Sequence, residues 1–178
     1  MNSTNTNVGG WKGSAMRTYL NGDTDDHMTY NDTTNGPTAT FFSKLPKELR
    51  DVIENTKVVS GHGSTTGETN FTSTDKIYLL SSHEVWEDGT SGQVSSKDTA
   101  YNQTRRLDYY KNLGVTTSSY SGAIKKNING KASTWWLRAA DSNYDSYFLS
   151  VSSGGDWNAT SASGANGLAP AFRIGEKM

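Results

Sequence analysis

The chain has 178 residues, no cysteine and a formal net charge of −1 at pH 7. The lack of cysteine excludes disulfide bonds, thiolate metal sites and a cysteine nucleophile, and the near-neutral charge gives no electrostatic reason to expect nucleic acid or an anionic membrane as a partner. Aromatic residues make up 11% of the chain and charged residues 20%, a balance that predicts a folded domain rather than a disordered chain.

The N-terminal part of the sequence predicts two helices. Residues 1–8 are polar and predicted to be a flexible segment ahead of a single domain at 9–178. Ser14 suits the N-cap of a short helix that ends at Gly22. A second helix is predicted to begin at Ser43, with Pro46 in its first turn and its apolar residues on one face. Those apolar residues are Leu45, Leu49, Val52 and Ile53.

The rest of the chain predicts short strands and one more helix. KIYLLS at 76–81 is predicted to be a buried strand, a polar insertion follows at 87–103, and TRRLDYYKNLG predicts a helix closed by Gly114. Three further strands are predicted between Asn-, Asp-, Ser- and Gly-rich loops: STWWLRAA at 133–140, YFLSVSS at 147–153 and GLAPAFRI at 167–174. Helices followed by a small sheet indicate the α+β class.

No motif in the sequence predicts catalysis, a metal site or a cofactor. His27, His62 and His83 are far apart and lack metal-ligand spacing. NGDTDD at 21–26 resembles the start of a calcium loop, but its Gly and Glu are not at the required offsets. GHGSTTG at 61–67 lacks the lysine of a phosphate-binding loop. No apolar run approaches the roughly 20 residues of a membrane span, and the first residues lack the basic and hydrophobic parts of a secretion signal.

An ordered series of short segments resembles a known family. GGWKGSAMRTYLN, LPKELRDVI, TDKIYLLSSHEV, WWLRA and GLAPAFRI, between Gly9 and Ile174, resemble microbial C-type lectin-like domains of the formylglycine-generating-enzyme type. The resemblance implies a C-type lectin-like fold, in which two or more helices flank a small, mostly antiparallel, twisted sheet with long loops. Within this group, the region at about 139–168 resembles the variable region of a protein diversified by a retroelement of the phage or archaeal-virus type.

The genetic code gives this resemblance a compositional test. If AAC or AAT codons change only at their adenines, the products include Asn, Asp, Tyr, Ser, Thr, Ala, Gly and His. Lys, Glu, Gln, Met and Trp are then unreachable. No Lys, Glu, Gln or Met occurs between Asp141 and Gly167, although Lys and Glu are scattered through most of the remaining chain.

The resemblance implies a variable ligand-binding surface on a fixed framework. Tyr supplies large contact area at low entropy cost, and Ser, Gly and Asn supply adaptable hydrogen bonds. The residues predicted to contact a ligand are Asp141, Ser142, Asn143, Tyr144, Asp145, Tyr147, Ser150, Ser152, Asp156, Asn158, Thr160, Ser161 and Ser163. The predicted framework is Trp135, Trp136, Phe148, Val151, Trp157 and Phe172, with Leu149 beside them.

The implied function is recognition without catalysis. We expect a protein or glycan ligand on a cell surface, display on a virion or cell surface, and no cofactor, nucleic acid or direct membrane insertion; the sequence predicts no oligomeric state. The copper site of formylglycine-generating enzymes needs cysteines, which this chain lacks. Of the sequence triplets of calcium-dependent lectins, the chain has only the partial match WNA at 157–159. Two alternatives stay open: a carbohydrate-binding or adhesin domain of fixed specificity, and an enzyme of the formylglycine-generating type that would bind copper or iron.

Overall fold

Short helices and strands joined by long loops make up residues 1–22, 40–88 and 92–175, which are the parts of the chain that the computed structural model describes. The α-helices in these ranges are α1 (Ala15–Asn21), α2 (Lys47–Arg50), α3 (Ser82–Val85) and α4 (Asp108–Asn112). The strands are β1 (Thr56–Ser60), β2 (Phe71–Asp75), β3 (Lys125–Lys126), β4 (Ala132–Ser133), β5 (Trp135–Ala140), β6 (Tyr147–Val151) and β7 (Trp157–Ser161).

The strands pair into three small antiparallel sheets, β1–β2, β3–β4 and the three-stranded β5–β6–β7. Short helices combined with small antiparallel sheets confirm the α+β class. Isolated bridges from Gly167, Ala171 and Ile174 attach the C-terminal segment to earlier parts of the chain. Among the described residues, no helix has both the length and the apolar character needed to cross a bilayer.

Strands β5 and β6 of the three-stranded sheet are buried on both faces. Successive side chains of a strand point to opposite faces, and those of β5 and β6 enter two separate apolar clusters. One cluster receives Trp135, Leu137, Leu149 and Val151, and the other receives Trp136, Ala140 and Phe148. Burying one large apolar side chain contributes about 1.5–3 kcal/mol, so this double-sided packing is the main source of rigidity for the sheet. The four framework residues predicted on β5 and β6 all lie in these two buried clusters.

The first and last predicted helices are present, and each ends shortly before the glycine that the sequence marks as its C-terminal signal. The Ser14 hydroxyl caps α1 by accepting a hydrogen bond from the Arg17 amide at 3.1 Å, and Gly22 follows the helix with a φ of 98°. Helix α4 is followed by Gly114, whose φ of 67° lies in the left-handed region that glycine tolerates. Both helices are short: α1 has seven residues and α4 has five.

The prediction of a continuous helix from Ser43 is wrong. A 3₁₀ turn at Phe42–Lys44 and the single-turn α2 are separated by Leu45 and Pro46, whose ψ angles are 150° and 142°. The residue before a proline is disfavoured in the α conformation, so Pro46 breaks the helix that the apolar spacing predicted. The Ser43 hydroxyl donates to the Thr40 carbonyl at 2.7 Å instead of capping a helix.

KIYLLS is buried, as predicted, but it is not a strand. Its first backbone groups pair with a side chain: the amide oxygen of Asn21 accepts from Lys76 at 2.9 Å and from Ile77 at 2.8 Å. Only Tyr78 makes a ladder-type pair, with Ala171. The strand of this region lies upstream at β2, which pairs with β1.

GLAPAFRI is likewise not the third strand of the main sheet. Pro170 lacks an amide hydrogen, and Gly167 and Ala171 make only isolated bridges. The third strand is β7, inside the polar stretch that the sequence predicted to be loop. The assignment of Phe172 to the buried framework is wrong, because its side chain is 37% exposed.

The segment at 1–8, which the sequence predicts to be flexible, packs against the domain. The side chains of Met1 and Asn7 are buried, and the Asn2 amide donates to the Ala162 carbonyl at 2.8 Å. Long-range backbone hydrogen bonds of this kind cannot be read from local polarity. The N-terminal residues therefore contribute to the structure around β7.

A buried arginine joins the main sheet to three other parts of the chain. Arg138 lies on β5 with 3% of its side chain exposed. Its Nη1 donates to the Glu84 carboxylate at 2.6 Å and to the Leu79 carbonyl at 2.7 Å, and its Nε donates to the Val59 carbonyl at 2.8 Å. Glu84 also accepts from the Ser81 amide at 2.7 Å, which completes the capping box of α3.

We expect Arg138→Met to lower the free energy of unfolding by about 3–5 kcal/mol, because the substitution leaves the Glu84 carboxylate and two buried carbonyls without their donor. The midpoint of urea unfolding measures this loss. Arg105→Met is the matched control, since the Arg105 side chain is 83% exposed and should change stability little. Equal midpoints for the two variants would contradict the structural role of Arg138.

Candidate ligand-binding surface

Most of the residues predicted to contact a ligand fall into two groups at opposite ends of β6. Tyr147 begins this strand and Val151 ends it, a separation of about 13 Å at the usual rise per residue. We call the first group the tyrosine end, which comprises the connection 142–146, Tyr147, Ser161 and Ser163. The second is the turn end, which comprises the β6–β7 turn at 152–156. The structure therefore does not unite all predicted residues in one surface.

Two tyrosines are the largest side chains of the tyrosine end. The ring centroids of Tyr144 and Tyr147 are 5.1 Å apart at an interplanar angle of 67°, an edge-to-face arrangement. Tyr144 is 50% exposed and Tyr147 is partly buried. Asn143 and Asp145 beside them are exposed, and so is Ser163 on the neighbouring loop. This end presents aromatic rings, an amide, a carboxylate and a hydroxyl to solvent.

The backbone of the 142–146 connection is held by the N-terminal segment. The Asn7 side-chain amide donates to the Tyr144 carbonyl at 2.9 Å and to the Tyr147 carbonyl at 2.7 Å, while its backbone amide donates to the Asp145 carbonyl at 2.7 Å. The Ser64 amide donates to the Tyr144 carbonyl at 3.2 Å. A Cβ added to Gly63 would collide with the Asn7 amide oxygen, which shows how closely the neighbouring loop encloses this side chain.

Asp141 lies beneath the same connection and not on its surface. Its side chain is fully buried, and its Oδ1 accepts from the Asn143 amide at 3.0 Å. Its Oδ2 lies 3.8 Å from the Lys97 amine. The prediction that Asp141 contacts a ligand is therefore wrong, because this carboxylate is used to shape the loop.

Lys97 and Gln93 lie beside Trp157, the first residue of β7, which pairs with Val151 at the turn end of β6. The Lys97 amine lies 5.5 Å from the Trp157 ring, and the Trp157 indole donates to the Gln93 side-chain oxygen at 3.1 Å. Trp157 is partly buried rather than enclosed, so this framework residue also contributes to the surface. Ser142 is fixed to the same segment, since its amide donates to the Lys97 carbonyl at 2.9 Å.

A buried carboxylate holds the segment that carries Lys97. Asp98 accepts from the Ser82 hydroxyl at 2.5 Å and from the Ala100 amide at 3.0 Å. Burial raises the pKa of Asp98, and the hydrogen bonds from Ser82 and Ala100 act in the opposite direction. Its two acceptor bonds fix the loop to helix α3, so Asp98 has a structural explanation.

The turn end is stabilised by its own side chains. The Ser152 hydroxyl donates to the Asp156 carboxylate and accepts from the Gly154 amide at 3.0 Å. Gly155 has a φ of 94°, and a Cβ at this position would collide with the Tyr120 carbonyl oxygen. Because these side chains define the turn, Ser152 and Asp156 are less free to contact a ligand than the residues of the tyrosine end.

The remaining predicted residues lie on the strands. Ser150 is fully buried, with its hydroxyl oxygen 2.8 Å from that of Thr160, so the prediction that it contacts a ligand is wrong. Thr160 is partly buried in the same pair, and Asn158 is exposed on β7. Ser161 is partly buried and donates to the side-chain oxygen of Asn5. Asn158 therefore joins neither group, whereas Ser161 connects the tyrosine end to the N-terminal segment.

The histidines do not form a centre in the described parts of the chain. His62 lies with its Nδ1 2.7 Å from the Gly63 carbonyl, and the His83 ring stacks on Tyr101 at 4.2 Å. Residues 1–22, 40–88 and 92–175 contain no group of three or more His, Cys, Asp or Glu side chains suited to a metal ion. His27 and most of NGDTDD lie outside the described residues.

Sequence reasoning missed Asn7, which holds the tyrosine end, and it also missed Gln93 and Lys97, which lie beside Trp157. Asn7 belongs to a polar stretch with no periodicity, and its partners are more than 130 residues away. Gln93 and Lys97 belong to the polar insertion at 87–103, where no motif marks them. The absence of Lys, Glu, Gln and Met identified the 141–167 stretch itself, but this bias carries no signal for the supporting residues.

A family model described as a domain of unknown function, DUF6273, matches residues 1–175. No curated protein and no solved structure gives a significant match. The matched range includes the N-terminal segment with Asn7 as well as the whole three-stranded sheet.

We expect Asn7→Ala to lower the free energy of unfolding by about 1–3 kcal/mol and to loosen the tyrosine end, because the part-buried carbonyls of Tyr144 and Tyr147 each lose a donor. Urea unfolding measures the first effect, and amide hydrogen exchange across 142–147 measures the second. Asn143→Ala is the matched control, an exposed asparagine expected to change stability by less than about 0.5 kcal/mol. Unchanged exchange in Asn7→Ala would contradict the role given to Asn7.

Proposed function

The chain belongs to the DUF6273 family, and we propose that it is a non-enzymatic ligand-binding protein that uses its tyrosine end to contact a protein or glycan on a host or partner cell surface. The main support for this proposal is that backbone groups of the tyrosine end are held by the rest of the domain, whereas its side chains face the solvent. The hydrogen bonds to residues 144–147 end on backbone carbonyls, whereas the side chains of Asn143, Tyr144 and Asp145 point to solvent.

Such a surface has the chemistry of a combining site. Exposed tyrosines supply rigid amphipathic contact area, and small polar side chains supply adaptable hydrogen bonds. Hot spots of interfaces are enriched in tyrosine, and Tyr144 beside Tyr147 is the best anchor of this type. A loop carried on a rigid, doubly buried sheet suits recognition because its backbone is pre-ordered before binding.

We further propose that a retroelement diversifies this surface on a C-type lectin-like fold displayed on a virion or cell surface. Two observations support diversification: the 141–167 stretch lacks Lys, Glu, Gln and Met, and its exposed residues include Asn143, Tyr144, Asp145 and Ser163, all types that adenine-directed change of AAC or AAT codons can produce. Display in many copies would raise a weak single-site affinity by orders of magnitude without new contacts.

Clonal copies of the gene test the diversification. We expect adenine-linked substitutions in the codons of Asn143, Tyr144, Asp145 and Ser163, because these side chains are exposed. The backbone carbonyls of Tyr144 and Asp145 are also held by other parts of the chain. We expect none at Asp141, Ser150 or Gly155, which are buried and structurally constrained. Sequencing of the locus and a search for a neighbouring near-copy beside a reverse transcriptase gene provide the measurement. Clones without adenine-linked change between Asp141 and Asn166 would remove retroelement diversification from the proposal.

A binding assay tests recognition itself. The chain is coupled in many copies to beads and applied to a glycan array and to a panel of intact microbial cells. We expect Tyr144→Ser to reduce binding about tenfold or more, because it removes the most exposed aromatic anchor of the surface. Tyr109→Ser is the control, since Tyr109 is 63% exposed on α4 outside the tyrosine end.

The outcomes of this assay separate the alternatives. Equal binding by Tyr144→Ser and the unaltered chain would overturn the assignment of the tyrosine end. One strong glycan signal shared by variants that differ at residues 143–145 would favour a carbohydrate-binding or adhesin domain of fixed specificity.

A further inference from the structure

A groove of about 280 Å³ lies away from the tyrosine end, beside the first residue of β5. Trp135 contributes to this groove and pairs with Val151, at the far end of β6 from Tyr147. One wall is the β3–β4 hairpin, and the other is the segment 167–171. The groove is therefore separate from the surface proposed for cell-surface recognition.

The walls of the groove are fixed by backbone hydrogen bonds. The Gly167 amide donates to the Thr134 carbonyl at 2.8 Å, and the Trp136 amide donates to the Gly167 carbonyl at 3.0 Å. At the other end of this wall, Tyr78 and Ala171 exchange hydrogen bonds of 2.8 and 2.9 Å. The span between these anchors carries Leu168, Ala169 and Pro170, so this wall is apolar.

The base and the opposite wall combine an aromatic ring with an amine. The Trp135 indole is fixed by its hydrogen bond to the Ala123 carbonyl at 3.1 Å. The Lys125 amine lies 5.1 Å from the Trp135 ring centroid and 5.9 Å from that of Tyr110. Lys126, the next residue of β3, lines the groove at an exposed position.

The charge of the groove is not balanced by the residues around it. Its lining contains two lysines and no Asp or Glu. Within the described ranges, no carboxylate lies within ion-pair distance of the Lys125 amine, which is partly buried. Burial lowers the pKa of Lys125, so the charged amine bears a desolvation cost that the two rings offset only in part. An anionic ligand would provide the missing partner.

We propose that this groove binds a small monocarboxylate with an apolar body, its carboxylate against the Lys125 amine and its body between Trp135 and the 168–170 wall. The volume is slightly below that of pockets for drug-sized ligands, which limits the occupant to a molecule of about one ring or one branched chain. Charge selects the carboxylate, because a charge-assisted hydrogen bond is about twice as strong as a neutral one. The apolar wall selects a hydrocarbon body over a sugar ring.

Phenylacetate is the probe, and its neutral analogue phenylacetamide has nearly the same shape. Nuclear magnetic resonance titration follows the indole N–H of Trp135, and each dissociation constant comes from its shift. We expect phenylacetate to bind the unaltered chain about tenfold or more tightly than phenylacetamide, since the amide cannot pair with an ammonium group as a carboxylate does.

Two variants test whether the Lys125 amine is the group that binds the carboxylate. Lys125→Met keeps most of the aliphatic stem and removes the amine, and we expect it to weaken phenylacetate binding about tenfold or more while leaving phenylacetamide unchanged. Lys131→Met is the matched control, an exposed lysine on the same hairpin outside the groove, and it should bind phenylacetate as the unaltered chain does.

Three results would overturn the proposal. They are an unshifted Trp135 signal at millimolar phenylacetate, equal affinities for phenylacetate and phenylacetamide, and full phenylacetate affinity in a folded Lys125→Met variant. If Lys125→Met does not fold, the comparison of the two probes on the unaltered chain still decides between charge recognition and simple apolar binding.

Discussion

The arrangement of the chain depends most on the hydrogen bonds that the Arg138 guanidinium donates. This guanidinium rises from the middle of β5 and binds the Glu84 carboxylate of α3 together with the carbonyls of Val59 and Leu79. A buried cation is costly unless its hydrogen bonds are satisfied, so these elements are required to meet at one point. The buried Asp75 carboxylate has a similar role near the N-terminus, where it accepts from Trp11 at 2.8 Å and from Arg17 at 2.7 Å.

Fixing the sheet in this way leaves its two ends with different tolerance to sequence change. At the tyrosine end, Asn7 and Ser64 hold carbonyl oxygens, which every residue type possesses. At the turn end, the conformation depends on the Ser152 and Asp156 side chains and on a glycine at 155. Substitution of exposed side chains should therefore be easier at the tyrosine end, although the composition bias covers both ends equally.

The sequence was sufficient for features that local chemistry determines. The cap of α1, the helix before Gly114, strands β5 and β6 and the buried framework of those strands all follow from end signals and short apolar runs. It was insufficient where distant groups compete with local preference. KIYLLS pairs with the Asn21 side chain rather than with a strand, and the polar β7 is a strand because β6 supplies its ladder. The burial of Asp141 and the part played by Asn7 depend on contacts that no local pattern encodes.

The positions of Lys125 and Lys97 show how two lysines in similar aromatic surroundings can differ in the balance of their charge. Each amine lies over a tryptophan, Lys125 over Trp135 and Lys97 over Trp157. Lys97 has the Asp141 carboxylate 3.8 Å away, so its charge is partly balanced within the domain, and it serves to support a loop. Lys125 has no such partner in the described part of the chain, and its charge remains available in a concave site. The difference between the structural Lys97 and the ligand-binding role proposed for Lys125 thus depends on one neighbouring carboxylate, because ring contacts alone do not offset the desolvation of an ammonium group.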